Sequence, residues 1–290
     1  MSSTLLRRAA GPGPGGVVVR TDPADAGWRY LAFGVHRLAA GDRIGRPGDG
    51  EEVLVLVLEG SAAVTAGDAS DGAGGSVAGG SWTGVGGRET VFAGPPPGMV
   101  LAAPGADVAI AAETAALVGV AHAPAGPVRA TRLIRPADVK VEERGSGMTA
   151  RRVHHLLPPG GDLAGRLIAF EVFTPGGNWS SYPPHKHDVE DPPREAYLEE
   201  LYFYRFALPQ GFAFARVYTP DRRLDEAMTP MDGDLVLVPE GYHPVGVPAG
   251  YDCWYLNVMA GPNRAWHFTV DPDHAWLMNW SPTTPRMAGQ

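Results

Sequence analysis

The stretch Tyr182-Pro-Pro-His185-Lys-His187-Asp188 places two histidines two residues apart, directly after a proline pair. Side chains at i and i+2 of an extended strand leave the same face, so these two imidazoles can converge on one metal ion. Downstream, Glu199-Glu-Leu-Tyr-Phe-Tyr-Arg-Phe206 is an aromatic, apolar strand led by two carboxylates. Further on, Asp232-Gly-Asp-Leu-Val-Leu-Val-Pro-Glu-Gly-Tyr-His243-Pro244 reads as a tight turn, a buried strand, a Pro-x-Gly turn and a histidine. A histidine just past such a turn can reach back to the first pair.

The surroundings are β in character. Val53-Leu-Val-Leu-Val-Leu58 is a continuous apolar run, and residues 167–173, 201–206, 212–218, 235–238 and 254–259 are short segments of the same kind. Each is bounded by Gly, Pro or Asp, and their spacing predicts a sandwich or barrel with no strong amphipathic helix. Gly (39) and Pro (28) are frequent in the 290 residues, which favours turns over long helices. Residues 139–144 read as a charged connection. The glycine-rich segment 67–87, with Gly72-Ala-Gly-Gly75 inside it, reads as a mobile loop or long hairpin. It is not a phosphate loop, because no lysine follows it.

An apolar fraction of 44% is enough for a proper core, and a charged fraction of 19% argues against a disordered chain. The net charge of −8 gives no general attraction to nucleic acid or to an anionic membrane. A single cysteine, Cys253, excludes an intrachain disulfide and predicts a reducing, cytoplasmic setting. No apolar run is long enough for an export signal or a membrane span. Seven of the nine histidines fall within residues 150–280, so the chemistry is expected there. His36, His122, His154, His155, His267 and His274 are read as structural.

His185, His187, Glu200 and Gly211, followed by Gly233, Pro239, Gly241 and His243, resemble the two motifs of the cupin superfamily. Twelve residues separate His187 from Glu200, where the superfamily usually has three or four, so an inserted loop is expected there. Glu190, Glu195 and Glu199 compete with Glu200 for the carboxylate role. Glu200 is preferred because it abuts the aromatic strand, while position 199 faces the other way. Longer runs are similar to the 5-deoxyglucuronate isomerase family of inositol catabolism. They include Trp179-Ser-Ser-Tyr-Pro-Pro-His-Lys-His-Asp188, Leu198-Glu-Glu-Leu-Tyr-Phe-Tyr-Arg-Phe206 and Tyr255-Leu-Asn-Val-Met-Ala260.

That resemblance implies an all-β bicupin of two jelly-roll-like barrels. Residues 1–140 would form a degenerate cupin and residues 141–290 the metal-binding one. It implies a divalent ion on His185, His187, Glu200 and His243, with Zn or Mn first and Fe or Ni as alternatives. It also implies an aldose–ketose isomerisation through an enediolate. Glu200, Tyr202 or Asp188 would shuttle the proton. Arg216, Arg205 or Lys186 would hold the substrate carboxylate, and Tyr204 would line the cavity. A homo-oligomer is expected, since barrel edges need cover. The rival readings are a metal-dependent bicupin dioxygenase, a sugar-binding cupin without turnover, and the uronate ketol-isomerase of pectin breakdown.

Overall fold

The computed structural model describes residues 3–70, 75–126 and 130–280. Strands dominate, and among the described residues the α-helix is limited to the single turn Pro23–Ala26. Two sheet systems carry the fold. One runs, strand by strand, Arg132–Ile134, Met99–Ala102, Glu51–Ala66, Ala116–Pro124, Ala32–Leu38 and Val17–Thr21. The other runs Leu6–Arg7, Leu235–Val238, Glu199–Phe206, Cys253–Ala260, Leu167–Thr174, Arg151–Leu157 and Lys140–Arg144. A smaller sheet of Trp179–Ser180, Val245–Gly246, Phe214–Tyr218 and Asp225–Met228 closes the second barrel.

The uninterrupted apolar runs have a geometric reason. Successive strand residues face opposite sides, and here both sides are buried. Val53, Val55 and Val57 face the interior of the first barrel. Leu54, Leu56 and Leu58 face a core shared with the second barrel. Leu201 and Phe203 join that shared core, while Tyr202, Tyr204 and Phe206 fill the second barrel.

The two halves are related by a pseudo-two-fold in which each completes the other. Glu199 of the second barrel accepts the backbone N–H groups of Arg29, Tyr30 and Leu31 at 2.7–2.8 Å. Glu52 of the first accepts those of Gly165, Arg166 and Leu167 at 2.6–2.7 Å. The edge strand Leu6–Arg7 pairs with Leu235–Val238 in the second sheet, and Arg132–Ile134 pairs with Met99–Ala102 in the first. The first residues of the chain therefore finish the second sheet rather than the barrel nearest to them in sequence. Cross-strand register extends the equivalence: Glu52 pairs Ala123 and Val53 pairs His122, as Glu199 pairs Ala260 and Glu200 pairs Met259. Val53 thus occupies the position that Glu200 has in the second barrel.

Two sequence expectations change. Lys140–Arg144 is a strand on the edge of the second sheet, not a connection. One side of it meets solvent, so its charged residues suit an edge. In the 67–87 segment the hairpin reading holds for the described part: Gly80–Arg88 pairs with Glu51–Ala66, and Ala69–Ser70 pairs with Ser76–Val77. Gly72 and its neighbours at 71–74 lie outside the described residues.

Candidate metal centre

His185 and His187 leave a two-residue strand, His185–Lys186, which pairs with Thr269–Val270. His243 follows the Pro-x-Gly turn, where Gly241 has a φ of 85°. A Cβ at Gly241 would also sit 2.4 Å from the Tyr218 carbonyl oxygen, so only glycine fits there. The turn brings His243 back to the first pair. One ring nitrogen from each histidine lies within 4.8 Å of those of the other two.

The outer nitrogens fix which face each ring presents. His185 Nδ1 lies 3.1 Å from the Pro183 carbonyl, His187 Nδ1 3.0 Å from that of Leu198, and His243 Nδ1 2.9 Å from that of Gly241. A carbonyl oxygen only accepts, so all three Nδ1 atoms donate. Each Nε2 is left with a lone pair directed inward, the arrangement that orients histidine ligands on a metal. His243 Nε2 is buried without a hydrogen-bond partner, although Glu200 Oε2 is 2.9 Å away. The same oxygen lies 3.0 Å from His187 Nε2. Asn257 Nδ2 donates to the other carboxylate oxygen, Oε1. Three convergent lone pairs, an orphaned ring nitrogen and one anchored carboxylate make a donor set suited to a divalent cation.

Electrostatics leave the His185 lone pair and the Glu200 charge available at neutral pH. Burial, then the neighbouring His243 and His187, pull the His185 imidazole down to about 3, so its lone pair is free. Burial works to raise the Glu200 carboxyl, but His243 and His187 outweigh it and hold the group well below the usual carboxylate range. The competing carboxylates are engaged elsewhere. Glu199 faces the first barrel, Glu195 is bonded to Lys186 and to the N–H groups of Asp188 and Val189, and Glu190 is bonded to Tyr197 and Asn263.

His185 and Glu200 open onto a cavity of about 150 Å³ that is also lined by Tyr202, Tyr255, Asn257, Trp266, His155, Arg144 and Arg151. Tyr202 is 3.2 Å from the Ser181 hydroxyl, and Tyr255 is 2.5 Å from that of Ser180. Burial pushes both phenols above their ordinary range, so both keep their protons. Tyr204 is buried behind this wall and its hydroxyl has no partner.

The cations named from sequence lie outside the cavity. Arg216 forms a two-pronged pair with Asp225 at 2.7 and 2.8 Å. Arg205 is held by Asp232 and Glu59. Lys186 is held by Asp188 and Glu195. Asp188 does not line the cavity either; its second oxygen accepts the Gly241 N–H at 2.7 Å. It ties the His185–His187 segment to the turn that carries His243. The structure instead brings Arg151 in: it lines the cavity, donates to the Thr149 carbonyl at 2.9 Å and, among the described residues, has no carboxylate partner. Its neighbour Arg144 is paired with Glu142, which also receives His155 Nε2 at 2.7 Å. Sequence reasoning missed Arg144, Arg151 and His155 because they lie on strands that carry no motif.

Comparison with known proteins agrees with this geometry. The family model described as the KduI/IolB family matches residues 5–277. A curated protein of Geobacillus kaustophilus named 5-deoxy-glucuronate isomerase is 44% identical over 95% of this chain and 96% of its own length. One of the same name from Listeria monocytogenes is 48% identical over 67% of this chain and 71% of its own. The crystal structure of an IolB-like protein from Salmonella typhimurium superposes with a TM-score of 0.86 at 41% identity, covering 94% of this chain and 99% of that one. An oxalate decarboxylase from Lactobacillus farciminis, 14% identical, superposes with a TM-score of 0.64 over 98% of this chain and 92% of its own, a likeness of fold alone. The fold is the all-β double cupin expected from the sequence.

Proposed function

The chain belongs to the KduI/IolB family, and on that premise we propose that it is a 5-deoxy-glucuronate isomerase, an aldose–ketose isomerase of inositol catabolism. The observation that carries the reading is the set of three backbone-anchored imidazoles whose ring nitrogens converge, two of them on Glu200, at the edge of a small cavity. The relatives' shared name supports this substrate over the pectin-derived uronate.

The reaction moves a proton from the hydroxyl-bearing carbon to the aldehyde carbon. His185, His187, Glu200 and His243 would hold the divalent cation, with Zn or Mn the first expectation and Fe or Ni the alternatives. When bound, that cation supplies Lewis-acid polarisation of the substrate's carbonyl and neighbouring hydroxyl, which makes the intervening C–H acidic. Arg151 holds the remote carboxylate, since its guanidinium has the planar fork for it and, among the described residues, no carboxylate partner. Tyr202 and Tyr255, kept protonated by burial, donate to oxygens on which charge develops. His155 takes and returns the proton. Glu142 receives its Nε2, so its Nδ1 is left to take the proton. Trp266 and Phe170 line the walls and exclude water. Residues 1–140 contribute no ligand in this reading and serve residues 141–290 as a supporting barrel. A cytoplasmic homo-oligomer completes it; no described helix is long and apolar enough to cross a membrane.

Metal analysis combined with an NMR assay of 5-deoxyglucuronate in D₂O tests the proposal. Wild-type protein should carry one divalent ion per chain and form product with deuterium at the new CH₂OH. His185→Ala and His243→Ala should lose both ion and turnover. Turnover that survives complete metal removal, or oxygen consumption in place of isomerisation, would overturn it.

A further inference from the structure

The first barrel has its own cavity, of about 260 Å³, and the mechanism above does not use it. Its position follows the pseudo-two-fold. It opens inside Val17–Thr21, Ala32–Leu38 and Ala116–Pro124, the counterparts of Arg151–Leu157, Leu167–Thr174 and Cys253–Ala260 around the catalytic cavity. Metal chemistry is gone from it, because Val53 stands where Glu200 stands in the other barrel. The interior has nevertheless not filled in.

What remains is a paired set of acceptors and donors over an apolar floor of Ile44, Val108, Ile110 and Val120. His36 Nδ1 donates to the Gly15 carbonyl at 2.9 Å, which leaves its Nε2 as an acceptor beside Gly34. His122 Nδ1 donates to Glu51 at 2.5 Å, which leaves its Nε2 likewise. Burial, and then Arg46, pull the His122 imidazole below its ordinary range, so it stays neutral. Arg46 uses one amino nitrogen on Asp49 and Glu51, while its Nε is buried without a partner. Arg20 lines the mouth and, among the described residues, has no carboxylate partner. Asp22, at the same rim, adds a further acceptor.

Two ring nitrogens accept hydroxyl protons, and the Arg20 guanidinium, which has no carboxylate partner among the described residues, receives a carboxylate. We propose that this cavity is a second, metal-free binding site, for a small polyhydroxy carboxylic acid, in the barrel that has lost its catalytic ligands. The site does not depend on the isomerase reading, because it shares no residue with the metal centre.

The test is calorimetric titration of the metal-loaded full chain with D-glucuronate, with D-glucose as the neutral control. Wild type should bind two glucuronates per chain. Gly34→Val, which puts a branched side chain between His36 and Arg20, should remove one of them. Arg20→Gln, on an exposed residue, should weaken the same event about tenfold or more. Both variants should keep the metal content and turnover of wild type. A single glucuronate per chain in wild type that both substitutions leave unchanged would overturn the proposal. So would a second event that survives both substitutions, or one that D-glucose reproduces. If Gly34→Val fails to fold, Arg20→Gln alone decides between the outcomes.

Discussion

A side chain's partners decide what it is free to do. Arg216, Arg205 and Lys186 all lie near the motif segments in sequence, and all are neutralised by carboxylates in space. Arg151 sits on a strand without a motif and is the guanidinium left to bind an anion. Arg151→Gln should therefore raise the KM for substrate by about 10- to 100-fold, since a hydrogen-bonded charge pair is lost. Arg216→Gln, an exposed pair, should change kcat/KM by less than about threefold. Steady-state kinetics on both variants separates the two assignments. Asp188 acts as a positioning residue, because it holds the Gly241 N–H and the Gly241 carbonyl in turn receives His243 Nδ1. Asp188→Ala should weaken metal affinity about 10- to 100-fold, as losing an outer partner of a ligand does. A chelator competition would read it, and Asp188→Asn, which keeps an acceptor, should recover part of the loss. The cluster of His185, His187 and His243 was legible in the sequence because these residues are spaced by strand and turn geometry. The placement of Arg151 in the cavity was not, since nothing in local sequence says which cations are already paired.

Strands were legible where an apolar run is bounded by turn residues: residues 53–58, 167–173 and 254–259 fall within Glu51–Ala66, Leu167–Thr174 and Cys253–Ala260, while the buried Met99–Ala102 and Ala116–Pro124 were not read as strands. Edge strands were harder. Lys140–Arg144 carries charge at four of five positions and reads as a connection until its pairing with Arg151–Leu157 is seen. Leu6–Arg7 is only two residues long and pairs with residues more than two hundred positions away, which no local pattern encodes. It covers the edge of Leu235–Val238, and Leu5 beside it is buried. Deleting residues 1–10 should expose that edge and cost about 2–4 kcal/mol from the lost leucine burial and ladder bonds. Urea unfolding would measure the cost, and light scattering should show concentration-dependent association of the truncated chain.

At the scale of the whole molecule, the two barrels meet across the shared core, and one buried ion pair crosses it. Arg88 of the first barrel holds Glu171 of the second at 2.8 and 3.0 Å, and Glu171 also receives His154 and Trp254. Burial works to raise the Glu171 carboxyl, but His154 and Arg88 hold it below its ordinary value. A carboxyl lowered on folding contributes stability that is full above its unfolded value and is lost as pH falls through the folded one. Arg88→Met should cost about 3–5 kcal/mol at pH 7, because it leaves a buried carboxylate short of its partner. Without Arg88, protonation relieves the strain, so the gap between variant and wild type should narrow as pH falls from 7 toward 4. Urea titrations across that range would show it. The strand runs alone read only as a sandwich or barrel; the double-barrel architecture came from the family resemblance. The reciprocal pairing between halves was not readable, since Glu52 and Glu199 look like ordinary residues at the head of a strand.

That reciprocity sets what half of this polypeptide could do by itself. Severed from its sister, either half would keep a carboxylate with no amides to receive, and the first would also keep a terminal strand with no sheet to finish. Two copies of one half could satisfy both demands at once across a symmetry axis, as self-complementary pairs do. The molecule is in this sense a homodimer written as one sentence. Within one chain the two halves need not match, and here the first has Val53 where the second has Glu200.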